Sequence, residues 1–267
     1  MLGVMHKLMN RLLITLIALL ATTNLPGQVQ NDAKKILATK DFLAFKNFAD
    51  NLSNRDKRIS SHWECLRDLT TDFQEGVFII ENSAQDKNNP GINFIYTYRV
   101  TVVTTKTKIA FYELTEMKNK KVGNDWEPYY APIDKFTDEK LYNSLKNAFR
   151  GLFKTELNER ELFVTDLVYG EHCGFAGTNP KGRQQVDAWV ANKNRNELLK
   201  WLKSTNTEKQ IYAVDGLYQL KNVWTQLNDE EIKMINFVTK KNGTVNVCSG
   251  CIHSRDDIRD VTKKFGL

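Results

Sequence analysis

The residues best suited to chemistry gather in two short runs. Tyr169 to Arg183 reads Y-G-E-H-C-G-F-A-G-T-N-P-K-G-R and Val247 to His253 reads V-C-S-G-C-I-H. Together they hold three of the four cysteines, two of the four histidines and five of the fourteen glycines. Glycine and proline at that density mean backbone in conformations that helices do not need, so something has to hold the first run in place. Sulfur chemistry is the natural agent. A disulfide from Cys173 to Cys248 or Cys251 closes a loop of about 75 residues, which the chain-entropy model values at roughly 4 kcal/mol. Cys65 then pairs with the remaining cysteine or stays free.

Two other sulfur chemistries compete. Cys173, Cys248 and Cys251 with His172 or His253 offer the Cys3His set that zinc takes tetrahedrally. The C-x-x-C spacing suits one half of such a site, but the adjacent His172 and Cys173 can rarely both ligate one ion. A redox reading takes Thr244 to Val247 as a strand, then C-S-G-C, then a helix from Asp256 to Lys264, an order that lowers the first thiol's pKa. A thioredoxin-type fold needs a further sheet and a proline loop after the motif, and sixteen residues remain. An even cysteine count in an exported chain favours bridges. No cofactor is therefore expected, with zinc as the alternative.

Complete catalytic sets are missing from the sequence. Gly177 to Gln184 has two glycines at phosphate-loop spacing but lacks the lysine and the hydroxyl that follow them. There is no H-E-x-x-H, G-x-S-x-G or S-x-x-K motif, and a nucleophilic Cys173 has few histidines to serve as its base. Neither a basic helix nor an RNP-type strand is present for nucleic acid. The candidate binding residues beside the glycine run are Tyr169, Glu171, His172, Arg183 and Asp215.

Export follows from the N-terminus. Lys7 and Arg11 precede the apolar run Leu12 to Ala21, about half the length needed to span a bilayer, and T-T-N-L-P-G-Q follows. This reads as a secretory signal over residues 1–27, cleaved near Gly27, with membrane contact only during export. Lys7 and Arg11 are the only charged residues of that segment, so the rest carries a formal +4 against +6 for the whole chain. A mild positive charge suits weak attraction to acidic surfaces and says nothing about fold.

Residues 28–135 read as an α+β domain. Ile36, Leu37, Phe42, Phe45, Phe48 and Leu52 recur at helical spacings, and His62, Trp63, Cys65 and Leu66 suggest a further helix to about Phe73. The period then changes to two: Ile92, Phe94, Tyr96, Tyr98, Val100 and Val102 alternate with polar residues. With Val77 to Ile80 and Lys108 to Thr115 this predicts a small antiparallel meander. Lys118 to Lys135 is the expected linker, with Trp126, Tyr129 and Tyr130 as a possible recognition loop.

Residues 136–267 read as a helical domain carrying the cysteine-fixed loop. Helices are expected from Thr137, over Leu157 to Val168, after Pro180, and around Leu198, Ile211 and Ile235, capped by Thr207 and Asp229 in the last two cases. The pattern L-L-K-W-L-K-S-T-N-T-E-K-Q-I-Y-A-V-D-G-L resembles one unit of a HEAT-like or armadillo-like repeat over residues 194–240, and that resemblance implies a helical scaffold. The fold class predicted is thus α+β, N-terminal helices with a small sheet followed by an all-α bundle. The function that fits is an exported, non-catalytic binding or structural module. Its partners would be another exported protein or a cell-surface polymer.

Overall fold

The computed structural model describes residues 26–86, 88–173, 177–220, 227–250 and 252–265. Residues 1–25, which make up nearly all of the expected signal over residues 1–27, lie outside the described residues, as do Cys251 and the loop tip 174–176. Two helices come first, α1 (Pro26–Ala38) and α2 (Phe42–Asn51), the latter capped by the Asp41 side chain, which accepts from the Ala44 amide. A cut near Gly27 would trim only the first turn of α1.

An antiparallel sheet of five strands follows in simple order: β1 (Ile59–Asp68), β2 (Gln74–Gln85), β3 (Asn93–Thr104), β4 (Ile109–Val122) and β5 (Asp125–Thr137). One face carries Phe78, Ile80, Tyr98, Val100, Val102, Tyr112 and Leu114, and α1 and α2 close over it with Val29, Leu37, Phe42 and Phe45. The alternation read from Ile92 to Val102 is this face. Only its inner half is covered, since Ile92 and Phe94 stand out in solvent.

The opposite face meets the C-terminal half. That half contains α3 (Glu139–Phe153), β6 (Tyr169–Glu171), α4 (Lys181–Ala191), α5 (Arg195–Leu202), α6 (Thr207–Gln219), α7 (Asp229–Lys240), β7 (Thr244–Ser249), β8 (Ile252–Asp257) and the short α8 (Ile258–Thr262). Leu69 and Phe73 of the β1–β2 connection, with Val103 and Ala110 of the sheet, share one core with Phe149, Phe153, Ile211, Val214, Met234 and Val238 of the helices.

The predicted architecture is corrected in two respects. The sheet is central and large, with strands of 10 to 14 residues, and most of the helices follow it. The C-terminal half is not all-α, because β6, β7 and β8 form a second sheet in that order, with β6 parallel to β7 and β7 antiparallel to β8. Each misreading has a physical cause. The segment from His62 to Leu66 is strand: a bulge between Trp63 and Cys65 shifts its register against β2 and breaks the two-residue period that would have revealed it. The expected linker Lys118 to Lys135 is the outer half of β4 with most of β5, a ribbon exposed on both faces and so without hydrophobic alternation. Leu157 to Val168 forms only a 3-10 turn at Glu159–Glu161, and Phe163 takes a positive φ of 61° that ends any helix. The caps expected at Thr137, Thr207 and Asp229 belong to neighbours, Asp138, Asn206 and Asn228, whose side chains accept from backbone amides.

Candidate functional site

Cys173 and Cys248 form a disulfide with Cα atoms 5.6 Å apart. Both sulfurs pack on Gly170, which pairs in parallel register with Cys248; a Cβ there would strike the Cys248 carbonyl and both sulfurs. This is why the short β6 strand has glycine at its centre. Of the other cysteines, Cys65 is a free thiol buried in β1, not half of a second bridge, and burial pushes its pKa up to about 12. Cys251 lies outside the described residues. The strand–CxxC–helix order is also corrected, since strand β8 begins at Ile252 and pairs with β7, and the next helix, α8, does not start until Ile258. A bridge between Cys173 and Cys248 withholds both thiolates from a metal.

Beside the staple four of the candidate residues meet. Arg183, from the first turn of α4, donates through Nη2 to Asp215 Oδ2 at 2.6 Å, and the Tyr169 hydroxyl donates to the same oxygen at 2.7 Å. The other carboxylate oxygen of Asp215 accepts from Gln219 Nε2 at 3.1 Å. Glu171 Oε1 lies 3.3 Å from Arg183 Nη2, and Asp187 Oδ1 lies 3.8 Å from Nη1. Lys264 reaches Asp215 at 3.7 Å and lies over the Tyr169 ring. The guanidinium sits over the rings of Tyr169 and Tyr212. Tyr212 ties this cluster to the staple: its hydroxyl donates to the Val168 carbonyl at 2.9 Å and accepts from the Gly170 amide at 3.0 Å.

The electrostatics follow from burial and pairing. Burial works against the Asp215 carboxylate, but the hydrogen bonds from Arg183 and Tyr169 outweigh it and hold Asp215 below the ordinary aspartate value. Burial also opposes the Arg183 cation, and Asp215 reverses that. Tyr212 is pushed up to about 12, chiefly by burial. At neutral pH the centre is therefore a fixed Arg–Asp ion pair with neutral tyrosines, and its exposed rim consists of Glu171, Asp187 and Lys264.

His172 stands apart from this centre. It has a φ of 54°, its amide donates to Asn179 Oδ1 at 2.8 Å, and its ring Nδ1 lies 3.2 Å from the Gly177 carbonyl. It shapes the loop. His253, opposite Cys248 on β8, is exposed. With Thr165, Asn246, Ser254 and Arg255 it lines an open polar cleft of about 420 Å³ on the stapled sheet.

Sequence reasoning missed Tyr212, Asp187, Gln219 and Lys264. The four-residue spacings from Arg183 to Asp187 and from Asp215 to Gln219 could have suggested two of them. The Asp215–Gly216 pair inside α6 has its explanation in packing as well as polarity, since a Cβ at Gly216 would overlap Leu198 and Val186.

A second polar cluster, absent from the sequence reading, lies in the seam between the sheet and the helical half. Arg67 on β1 donates to Glu75 Oε1 at 2.8 Å and to Glu208 Oε1 at 2.7 Å, and all three side chains are buried. Glu75 Oε2 accepts from the Phe163 amide, while Glu208 Oε2 has no partner among the described residues. Lys241, also buried, donates to Gln210 Oε1 at 2.6 Å, and burial above all lowers its pKa to about 7.

No described helix is long and apolar enough to cross a membrane. No protein-family model, curated protein or solved structure matches the chain.

Proposed function

We propose that this is an exported binding module without catalysis of its own, in which the disulfide holds a small sheet as a platform for another exported protein or a cell-surface polymer. The observation that carries the reading is the division of labour around the staple. Arg183, Asp215 and Tyr169 spend their hydrogen bonds on one another beneath the surface. Glu171, Asp187 and Lys264 at the rim, with the cleft beside His253 and Arg255, keep charged ends in water. A disulfide supports an oxidising compartment, as does the basic-then-apolar N-terminus. The α5–α6 pair, packed at Gly216, supports the HEAT-like hairpin reading, with α6 presenting Tyr212 and Asp215 to the platform.

The test is co-sedimentation of the purified chain with insoluble cell-surface polymer, in the oxidised form and as the Cys173→Ser/Cys248→Ser variant. Binding that is lost in the variant and in Glu171→Lys/Lys264→Glu supports the platform. Binding indifferent to both, or none to any surface fraction, rejects it. The zinc alternative draws on one observation, the pairing of Cys248 with His253 beside Cys173. Elemental analysis showing one zinc per chain with both thiols free would establish it.

A further inference from the structure

Free strand edges are templates for pairing with another chain, and proteins guard them. Here β5, an outer edge, carries Pro128 and Pro132, which cannot donate to a ladder. The β1 edge is met by the chain at Asn242 and Gly243. The β8 edge presents His253, Arg255 and Asp256 to solvent, and β6 is three residues long.

One edge lacks such a guard. The β3–β4 ladder ends at Tyr98 opposite Glu116, whereas β2–β3 continues to Gln85 opposite Asn93 and β4–β5 to Val122 opposite Asp125. Beyond that point the sheet divides into two ribbons. On one, β4 carries Lys118, Lys120 and Lys121. On the other, Asn93 to Thr97 (N-F-I-Y-T) has no charge, proline or glycine, and Phe94 and Ile95 are 48% and 67% exposed. Such a segment has the composition of a self-pairing strand.

We infer that this edge is covered by a second copy of the chain, β3 pairing antiparallel with the same strand of its partner about a two-fold axis at Ile95. The run is its own complement: Ile95 meets Ile95 of the partner subunit, Phe94 meets Tyr96 of the partner subunit, and no like charges oppose. The same operation on β4 would set lysines against lysines, which destabilises a strand pair. Charge complementarity favours the same occupant. In this register Glu81 of the partner subunit, beside Thr97 of the partner subunit, comes level with Asn93 and so toward the Lys120 and Lys121 end of β4. The contact is isologous and closes after two copies.

Sedimentation equilibrium on the purified chain tests this. The native chain should be a dimer, and Ile95→Lys should raise its dissociation constant roughly a hundredfold. Trp126→Lys, on the other ribbon, should leave the dimer intact. Amide exchange at Asn93 to Thr97 should slow as concentration rises, a readout that does not depend on any variant folding. A native chain that stays monomeric, a dimer indifferent to Ile95→Lys, or exchange at these amides independent of concentration would each overturn the proposal.

Discussion

Two arginines illustrate what a buried ion pair does in this molecule. Arg67 lies between Glu75 and Glu208, with every side chain about 1% exposed or less. Arg183 is nearly as buried, yet two of its carboxylate neighbours, Glu171 and Asp187, are 54% and 45% exposed. The first cluster has no route to solvent and fixes the sheet against α6. The second is anchored below by Asp215 and open above, so rim groups can exchange partners without disturbing the anchor. Sealed ion pairs set positions, and half-open ones present a surface.

The comparison breaks most visibly at Arg67. Arg67→Met leaves two carboxylates buried without their cation and should cost about 5 kcal/mol, measured by urea unfolding. Opening the staple comes next. Cys173→Ser with Cys248→Ser should lose roughly 4 kcal/mol, as expected for a closed loop of this length, with the greatest gain in amide exchange at Tyr169 to Glu171. Asp215→Asn should cost about 3 kcal/mol, less than at Arg67 because Glu171 and Asp187 still face the Arg183 guanidinium.

The two clusters also separate by pH. Lys241 beside the Arg67 cluster has its pKa lowered from 10.5 to about 7. Over that interval the unfolded chain holds more protons at this site than the folded one, so stability should rise with pH from about 7 to about 8.5, by at most about 1.4 kcal/mol per unit, before the raised Cys65 thiol opposes it above about 9. Below pH 7 this contribution is flat. Lys241→Met should abolish the slope, whereas Glu171→Gln at the open cluster should leave it unchanged.

The site was more legible in the sequence than the fold. Cysteine, glycine and histidine are rare enough that their clustering at Tyr169 to Arg183 and Val247 to His253 marked both ends of the staple. Asp215 lies far from the glycine run in sequence and reaches it only because α6 packs beside β6. The sheet was harder to read. The bulge in β1 disguised a strand as a helix, and the outer parts of β4 and β5 are solvated on both faces, which removes the only pattern that betrays a strand. Arg67, Glu75, Glu208 and Lys241 carried no signal, because charged residues scattered through a chain read as surface until tertiary structure buries them.

The staple itself is the claim on which the binding reading depends. Its direct test is a peptide map of the chain, alkylated in denaturant without reductant, with fragmentation to assign the sulfur in the segment Asn242 to Arg255 that holds both Cys248 and Cys251. The account predicts Cys65 alkylated and Cys173 linked to Cys248. Alkylation of both Cys173 and Cys248, or a link from Cys173 to Cys251, would contradict it.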